Sequence, residues 1–454
     1  MHLFLLGAGH VGLVTAVGFA RLGHQVRVAD LDGARIAGLT DGHPPVFEPG
    51  LTEALIAGLT NGSLAFTTDL DPPADTRFSF ICVNTPTGPD GPLSTVNVEV
   101  IVGRLLATVG PDHVIVVRST LPLDGPSRLA ALASASGVAD RASIVTNPEF
   151  MREGQALDDF ERPNRVVSGW LEPSDQPSAH AVIDLYAPLA APSLVADARS
   201  VALIKLGSNV FLGTKISFAN ELARVADATG ADIEAVLVGI GLDSRIGSAF
   251  LRPGPGIGGS CLPEQAVAIA LATAALDVET PLLSAVHRSN AVHQHQIVAR
   301  LETLLGGPGS LAGRRIALLG LAFKAETDDV RESPALAMAA KLRAAGAEVL
   351  AHDPRAERRA RLADPLLAVT ATPLEALLDA DAVVVATEWD DYRTIDWEAG
   401  AAAMRGTLIY DTRGVVDVEA TRAAGLRLER LGRPSPDQPG AGVPPVASSS
   451  ANVA

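Results

Sequence analysis

Cys261 is the side chain with the clearest capacity for chemistry, and it is one of only two cysteines among 454 residues. It directly follows the run Pro253–Ser260, which is rich in glycine and proline. Because glycine lacks a β-carbon, a ligand can approach such a backbone closely, and an accessible thiol near a cation forms its thiolate more readily. The pattern predicts a nucleophile held on a shaped loop. The alternative, a small buried hydrophobic residue, is our prediction for Cys82 in the apolar run Phe80–Val83.

Charged side chains in four further segments are candidates to assist such a nucleophile. Segment 147–154 places Glu149 and Glu153 four residues apart, and Lys205 and Asn209 have the spacing that puts two residues on one helix face. The other two segments are Asp243–Arg245 and Gly320–Pro334, the second of which contains Lys324 and Arg331. Each of these charges could instead be an ordinary surface group, and the glutamates could simply favour a helix start.

A glycine-rich turn near the N-terminus predicts dinucleotide binding. Gly7-Ala8-Gly9-His10-Val11-Gly12 follows one predicted strand and opens a helix, and the next strand, Gln25–Ala29, ends at Asp30. These glycines allow a tight turn and backbone contact with a pyrophosphate at the helix N-terminus. Asp30 can accept hydrogen bonds from a ribose and would repel a 2′-phosphate, which favours NAD over NADP. Arg35 lies either near the adenosine end of the cofactor or on the surface.

Polar residues leave the carboxyl ends of two further predicted strands, where ligands bind in parallel sheets. They form the segments Asn84–Thr87 and Ser119-Thr120. We expect their hydroxyls to face the nicotinamide half of a cofactor.

Composition narrows the class of protein. The net charge of −16 argues against nucleic acid and anionic membrane surfaces as partners. Two cysteines cannot form a disulfide framework, and no spacing typical of a metal site is present, so a cytoplasmic location fits best. The uncharged stretch Met1–Ala20 is interrupted by glycines, which favours a strand, turn and helix over a secretory signal.

Alternating strand and helix patterns predict an α/β fold with two Rossmann-like, doubly wound domains joined by a long-helix central domain. The predicted strands are Leu3–Leu6, Gln25–Ala29, Phe78–Val83, Val114–Arg118 and Ser143–Thr146, then Arg315–Leu319, Glu348–His352, Ala382–Thr387 and Leu408–Asp411. Long helices are predicted over 198–238 and 281–305. The expected domains are 1–197, 198–300 and 301–431, followed by a disordered tail, 432–454, rich in Pro, Ser and Gly.

The combined segments resemble the UDP-glucose/GDP-mannose dehydrogenase family over nearly all of the chain. The matching segments are Gly7–Gly12, Asn84–Thr87, Ser119-Thr120, Asn147–Gly154, Lys205 with Asn209, Asp243–Gly247, Phe250–Pro263, Gly320–Pro334 and Thr387–Trp389. The resemblance implies an NAD-dependent, four-electron oxidation of a UDP-sugar alcohol to a carboxylate. Cys261 would form a thiohemiacetal and then a thioester, Lys205 would stabilise oxyanions, and Asn209 would hold the C6 oxygen or a water.

The resemblance also implies roles for individual residues. Glu149 and Thr120 would assist proton transfer and water placement, and Arg245 would reach a neighbouring subunit, which implies a homodimer or higher homo-oligomer. The implied cofactor-binding residues are Gly7, Gly9, Val11, Gly12, Asp30, Arg35, Thr85, Thr120, Glu153 and Arg331. The implied substrate-binding residues are Glu149, Phe150, Met151, Arg152, Glu153, Lys205, Asn209, Arg245, Phe250, Leu251, Arg252, Pro253, Gly254, Gly258 and Lys324.

The sequence departs from the family directly after the nucleophile. The usual string Phe/Leu-Pro-Lys-Asp is here Leu262-Pro263-Glu264-Gln265. Glu264 would put an anion where a cation aids cofactor binding, and Gln265 cannot act as a base. Thioester hydrolysis is the step expected to suffer most. Three consequences of this departure stay open: other residues compensate for Glu264 and Gln265, catalysis is slow, or the protein only binds its ligands. A dehydrogenase for GDP-mannose or a UDP-N-acetylhexosamine is the alternative in substrate.

Overall fold

The structure is a computed structural model that describes residues 1–88, 91, 93–137 and 142–433. The chain divides into two compact units. The first unit comprises Met1–Gly213, Gly259–Arg288 and Lys324–Asp329, and the second comprises Thr214–Gly258, Ser289–Phe323 and the chain from Val330. Each unit is built on one sheet, so the predicted α/β class with two Rossmann-like sheets is confirmed. The division into three consecutive domains stays a prediction.

The first sheet has eight strands in the order β3-β2-β1-β4-β5-β6-β7-β8. All neighbours are parallel except β6 and β7, and the first six strands follow the order typical of dinucleotide-binding folds. The strands are β1 His2–Leu6, β2 Gln25–Ala29, β3 Leu64–Thr67, β4 Phe78–Ile81, β5 Val114–Val117, β6 Ser143–Thr146, β7 Val166–Trp170 and β8 Ser193–Asp197.

Both faces of this sheet are covered, which explains its continuous apolar strands. In β1, Leu3 and Leu5 belong to one hydrophobic cluster, whereas Phe4 and Leu6 belong to a second. This alternation is the two-residue period of a strand. The sheet is therefore a rigid platform for the polar turns that leave its strands.

The second sheet has six parallel strands in the order β11-β10-β9-β12-β13-β14. Counted from β9, this is the same order as the first six strands of the first sheet. The strands are β9 Arg315–Leu319, β10 Glu348–His352, β11 Ala368–Val369, β12 Ala382–Val385, β13 Leu408–Asp411 and β14 Arg427–Arg430. The chain thus repeats one topology in its two units.

Asp353 follows the second strand of this repeat, as Asp30 follows the second strand of the first sheet. Its carboxylate is buried and accepts five hydrogen bonds of 2.7–3.1 Å. The donors are the backbone N–H groups of Leu321, Ala322, Arg355 and Ala356 and the indole N–H of Trp389. Asp353 therefore closes the turn itself rather than facing a ligand.

Sixteen helices are present in the described residues. They are α1 His10–Arg21, α2 Gly33–Thr40, α3 Leu51–Thr60, α4 Val96–Thr108, α5 Gly125–Ala135, α6 Ala156–Glu161, α7 Gln176–Asp184, α8 Ala198–Thr229, α9 Ile233–Gly241, α10 Cys261–Ala275, α11 Pro281–Leu304, α12 Pro334–Ala344, α13 Glu357–Ala363, α14 Pro373–Leu377, α15 Trp397–Ala403 and α16 Val418–Ala423. Three single 3₁₀ turns lie at Pro173–Asp175, Ala187–Leu189 and Asp390–Tyr392.

The helix predicted over 198–238 is in fact two helices. Gly230 has a φ of +75°, a left-handed conformation that ends α8, and the Asp232 side chain caps α9 by accepting from the Glu234 N–H. By length and composition α8 could cross a membrane. Core helices pass the same test, and α8 carries the buried polar residues Lys205 and Asn209.

The predicted tail begins two residues too early. The Gly432 N–H donates to Asp227 at 3.0 Å, and Arg433 pairs with Glu234 at 2.7 Å, so both residues are held by the second unit. The rest of the predicted tail, 434–454, lies outside the described residues.

Candidate active site

The glycine turn after β1 has the geometry that the sequence pattern requires. Gly7 has a φ of +105°, and a β-carbon there would lie 2.7 Å from the Cys82 carbonyl oxygen. A β-carbon on Gly12 would lie 1.9 Å from the Gly7 carbonyl oxygen. Gly9, in contrast, has no heavy atom within 4 Å of that position. The fold itself requires Gly7 and Gly12, whereas the open side of Gly9 fits the approach of a pyrophosphate to α1, whose second residue is Val11.

Asp30 is held at the end of β2 as an ionised acceptor. Its oxygens accept from the backbone of Ala8 at 2.8 Å and of Asp32 at 2.9 Å, and from Arg35 Nη1 at 2.9 Å. Burial raises the pKa of Asp30, but these two backbone bonds and the ion pair with Arg35 lower it below its ordinary value. Arg35 therefore contacts the carboxylate predicted to bind ribose.

Lys205 and Glu149 form a buried ion pair. Lys205 Nζ donates to the Glu149 carbonyl oxygen at 2.7 Å and to Oε1 at 2.9 Å, while Glu149 Oε2 accepts from the Met151 N–H at 2.5 Å. Burial raises the pKa of Glu149, but the charge and hydrogen bond of Lys205, with smaller help from Met151 and Arg118, lower it overall. This pair places one fixed cation and one fixed anion in the first unit.

Phe150 joins this cluster through its ring. Arg165 lies 3.8 Å from the ring centroid and Lys205 Nζ lies 5.3 Å from it. Arg165 also donates to Ser208 at 3.0 Å. Cations over an aromatic face are attracted to it, so the Phe150 ring is held beside Arg165 and Lys205.

Cys261 is the first residue of α10 rather than part of a loop, which corrects the sequence prediction. Ser260 precedes it as the N-cap residue, with its Oγ 3.9 Å from the thiol sulfur. The thiol is exposed, and a helix N-terminus favours a thiolate. Removal of surrounding water nevertheless raises the pKa of Cys261, Lys205 lowers it, and Glu149 and Glu153 raise it. The net effect is that the pKa of the Cys261 thiol lies above its ordinary value.

Asn209 and Gln265 connect α8 and α10. Asn209 Nδ2 donates to Gln265 Oε1 at 2.9 Å, and both side chains are buried. Gln265 lies one helical turn after Cys261, and Asn209 lies one turn after Lys205. Gln265 thus holds the side-chain amide of Asn209 near the N-terminal end of α10, where Cys261 lies.

Glu153 and Arg152 have partners of different kinds. Glu153 accepts from the Thr327 hydroxyl at 3.2 Å. Arg152 donates from Nη2 and Nε to Asp159 at 2.6 and 2.9 Å. The guanidinium of Arg152 is therefore occupied by an ion pair, although the sequence prediction assigned it to substrate.

Four hydroxyl residues follow β4 and β5, namely Thr85, Thr87, Ser119 and Thr120; Thr87 is exposed, and its role stays a prediction. Thr85 and Thr120 are half-buried and stay candidates for the nicotinamide end of the site. Ser119 donates to the Val83 carbonyl oxygen at 2.7 Å. The hydroxyl hydrogen of Ser119 is thus used by the backbone, and its role toward the cofactor stays a prediction.

The predicted sugar-nucleotide loop, 250–258, is held within the second unit. Gly254 donates to Asn220 Oδ1 at 2.9 Å, and its carbonyl oxygen accepts from His293 Nε2 at 2.7 Å. Burial lowers the pKa of His293 to about 4, so the ring is neutral near pH 7. Asn290 makes two more bonds, of 2.7 and 3.1 Å, to the Ile257 backbone. The buried Asn220 and His293 and the half-buried Asn290 therefore determine the shape of this loop.

Individual positions in the loop differ in exposure. Phe250 adopts a left-handed φ of +61°, Leu251 and Gly254 are buried, Pro253 is half-buried and Arg252 is exposed. A β-carbon on Gly258 would lie 2.8 Å from the Glu332 carbonyl oxygen. Gly258 is thus needed for packing, whatever it also does for a ligand.

The three remaining predicted cations differ in setting. Arg245 is 88% exposed and pairs with Asp243 at 2.6 Å. Lys324 is half-buried in the first unit, and Arg331 is exposed in the second. Their assigned contacts with ligands or a neighbouring subunit stay predictions.

Sequence reasoning missed Arg118, which follows β5. It is buried and donates to Thr15 at 2.8 Å, to Asn147 Oδ1 at 2.8 Å and to Tyr186 at 3.0 Å. Arg118 also lowers the pKa of Glu149. The available signal was an arginine directly after four buried apolar strand residues.

Comparisons with known proteins agree with this arrangement. Models of the UDP-glucose/GDP-mannose dehydrogenase family match residues 1–190 (NAD binding domain), 199–292 (central domain) and 317–418 (UDP binding domain). A UDP-glucose 6-dehydrogenase of Rhizobium meliloti is 37% identical, with 96% of this chain and 100% of the relative covered. A Haloferax volcanii UDP-glucose 6-dehydrogenase is 38% identical, with 95% of this chain and 100% of the relative covered. The solved structure of a UDP-glucose dehydrogenase from Pyrobaculum islandicum superimposes with a TM-score of 0.84 at 37% identity. The match covers 95% of this chain and 98% of that chain.

Proposed function

Because the chain belongs to the UDP-glucose/GDP-mannose dehydrogenase family, whose cofactor is NAD, we propose that it oxidises UDP-glucose to UDP-glucuronate. The names of relatives 37–38% identical over nearly their whole length support this substrate. The observation that carries the chemistry is Cys261 at the start of α10, with Lys205 and Glu149 acting on its thiol.

The proposed reaction removes four electrons from C6 of the sugar. Bound NAD⁺ supplies the oxidant, one hydride acceptor for each of two oxidations. After the first oxidation, the Cys261 sulfur bonds to the aldehyde carbon, the carbon–oxygen double bond becomes a single bond, and the thiol proton ends on that oxygen, so a thiohemiacetal forms. The second oxidation gives a thioester, and water then breaks the carbon–sulfur bond to release the carboxylate and restore the thiol. The covalent link prevents escape of the aldehyde between the two oxidations.

Lys205 and Glu149 have complementary roles in this proposal. The ammonium group of Lys205 stabilises negative charge on the C6 oxygen. The Glu149 carboxylate is ionised because its pKa is lowered, so it can accept a proton from the thiol or the hydrolytic water. A thiol whose own pKa is raised needs such a base.

Gln265 decides how well the last step proceeds. Its side chain accepts from Asn209 at 2.9 Å, which keeps the amide in place without adding a carboxylate. Because Gln265 is not a base, we assign the activation of the hydrolytic water to Glu149, the partner of Lys205. We expect complete but slow turnover, limited by thioester hydrolysis.

The test is the number of NADH molecules formed per UDP-glucose consumed. Two per sugar support the full reaction, and a Cys261→Ala variant should form no more than one because it lacks the nucleophile. No NADH from UDP-glucose, but clear NADH from GDP-mannose or a UDP-N-acetylhexosamine, would reject the proposed substrate. A single burst of two NADH per subunit without further turnover, with a mass increase on the Cys261 peptide, would show a trapped thioester and contradict turnover.

We also propose that the protein is a cytoplasmic homodimer or a higher homo-oligomer. Helix α8 exposes large apolar side chains every seven or eight residues, a spacing that lines one helix face. They are Leu203, Phe211, Phe218 and Val225, each about half exposed or more. Packing against a second copy would bury this face.

The oligomer is tested by measuring mass in solution by light scattering. Phe211→Lys should shift the mass toward that of a monomer, because it places a charge in the apolar face. Leu366→Lys is the matched control, since Leu366 is 84% exposed and lies outside α8. A monomeric wild-type protein would contradict this proposal.

A further inference from the structure

His10 lies inside the dinucleotide turn, between the open Gly9 and Val11, and is the first residue of α1. Its Nε2 lies 2.8 Å from Glu48 Oε2, and the side chains of the pair are 17% and 1% exposed. An ionised carboxylate can only accept, so Nε2 carries the hydrogen in both charge states of the ring. Titration of His10 therefore adds or removes the proton at Nδ1.

Glu48 connects this imidazole to the loop that carries the catalytic carboxylates. Its oxygens also accept from the N–H groups of Gly154 and Ala156, each at 2.7 Å. Gly154 directly follows Glu153, and a β-carbon on Gly154 would lie 2.5 Å from the Glu326 carbonyl oxygen. The cofactor turn and the loop after β6 are thus joined through one buried carboxylate.

The charges that act on His10 come from three places in the first unit. Burial lowers the pKa of His10, but the hydrogen bond to Glu48 and the charges of Glu153, Glu48 and Glu149 together raise it above 6.5. Glu149 is paired with Lys205, whereas Glu48 is paired with His10 itself. A pyrophosphate bound at the turn would add negative charge to this acidic surrounding.

We propose that His10 is a positioning residue of the cofactor site, whose imidazolium form holds Glu48 and offsets the negative charge of a bound pyrophosphate. Loss of the proton leaves Glu48 uncompensated beside the turn and weakens NAD binding. The proposal concerns cofactor binding alone, and it stands apart from the identity of the sugar.

The sign of the pH dependence follows from the direction of the shift. His10 is protonated below its raised pKa, so its contribution to binding is complete at low pH and disappears as pH rises through the folded-state value, above 6.5. NADH affinity should fall about fivefold to tenfold across that titration, the effect expected of one nearby charge. The same group adds folding stability below pH 6.5 that is lost over the same rise.

The experiment measures NADH affinity of the full chain by fluorescence between pH 6 and pH 9, with no sugar present. His10→Gln keeps a hydrogen-bonding side chain but cannot titrate, so it should bind NADH more weakly at pH 6 and lose the pH dependence. His180→Gln is the control, because His180 is exposed and lies outside this cluster. It should keep the wild-type curve.

A second variant tests the coupling without removing the histidine. Glu48→Gln keeps an acceptor for Nε2 but removes the charge, so the midpoint of the NADH curve should move to lower pH. An unchanged midpoint, or a folded His10→Gln protein that keeps the wild-type curve, would overturn the proposal. Because NADH binding is measured alone, failure here differs from failure to oxidise UDP-glucose.

Discussion

Glu149→Gln should destabilise the protein by about 3 kcal/mol, because it removes one charge of a buried ion pair. At an effective dielectric constant of about 20, unit charges 2.9 Å apart, the Lys205–Glu149 separation, attract by roughly 6 kcal/mol. Loss of one partner of such a pair costs about 3–5 kcal/mol after desolvation. The backbone carbonyl of residue 149 still accepts from Lys205 at 2.7 Å. The cost should therefore lie near the lower end of that range.

The assay compares the free energy of unfolding in urea for wild type and Glu149→Gln at pH 7 and at pH 4. Burial raises the pKa of Glu149, but Lys205 lowers it below its ordinary 4.5. Stability from a carboxylate of lowered pKa is complete above the unfolded-state value and is lost as pH falls through the folded-state value. The difference between the two proteins should therefore narrow below pH 4.5.

Glu357→Gln is the matched control, because Glu357 pairs with Arg361 at 3.1 Å on an exposed helix face. It should change the free energy of unfolding by less than about 0.5 kcal/mol. If Glu149→Gln costs no more than this control, or if its cost does not depend on pH, the assigned electrostatic role of the buried pair is refuted.

Three further predictions concern the cofactor and the thiol. Asp30→Asn should remove the Asp30–Arg35 ion pair, leaving Arg35 only Asp32 at 3.5 Å, and raise the ratio of NADP to NAD kcat/KM at least about tenfold; an unchanged ratio would contradict this. Iodoacetamide should alkylate Cys261 alone in the folded protein, because Cys82 is buried and its pKa is raised to about 12; mass spectrometry of the two peptides decides. Gln265→Asp adds an anion one turn from the thiol, so alkylation at pH 8 should slow about threefold, and a faster rate would refute the placement.

Most strands with both faces covered could be predicted, although the buried strand β7, Val166–Trp170, was missed. All four residues of Val114–Val117 are buried, and this run was found at the right place. The strand Ser193–Asp197 was missed because it lies at the sheet edge, where none of its residues is fully buried and no apolar run results. Edge position is a property of the assembled sheet, so local composition does not reveal it.

The side chains that we propose to be catalytic could be named from the sequence, but their partners could not. Lys205 and Asn209 each contact a residue 56 positions away, and His10 contacts Glu48 across 38 positions. No local spacing encodes these pairs. Cys261 was misplaced on a loop because glycines and prolines surround it, although α10 begins at that residue.

The two aspartates that follow the second strand of each sheet have consequences for protein engineering. Asp30 has three donors, of which Arg35 is a side chain that substitution can release. Asp353 satisfies four backbone N–H groups and an indole. Because Asp30 is the carboxylate predicted to bind ribose, we expect a change of this one side chain in the first sheet to alter cofactor preference. The same exchange in the second sheet would remove a determinant of folding, so a second dinucleotide site cannot be grafted there by copying the first.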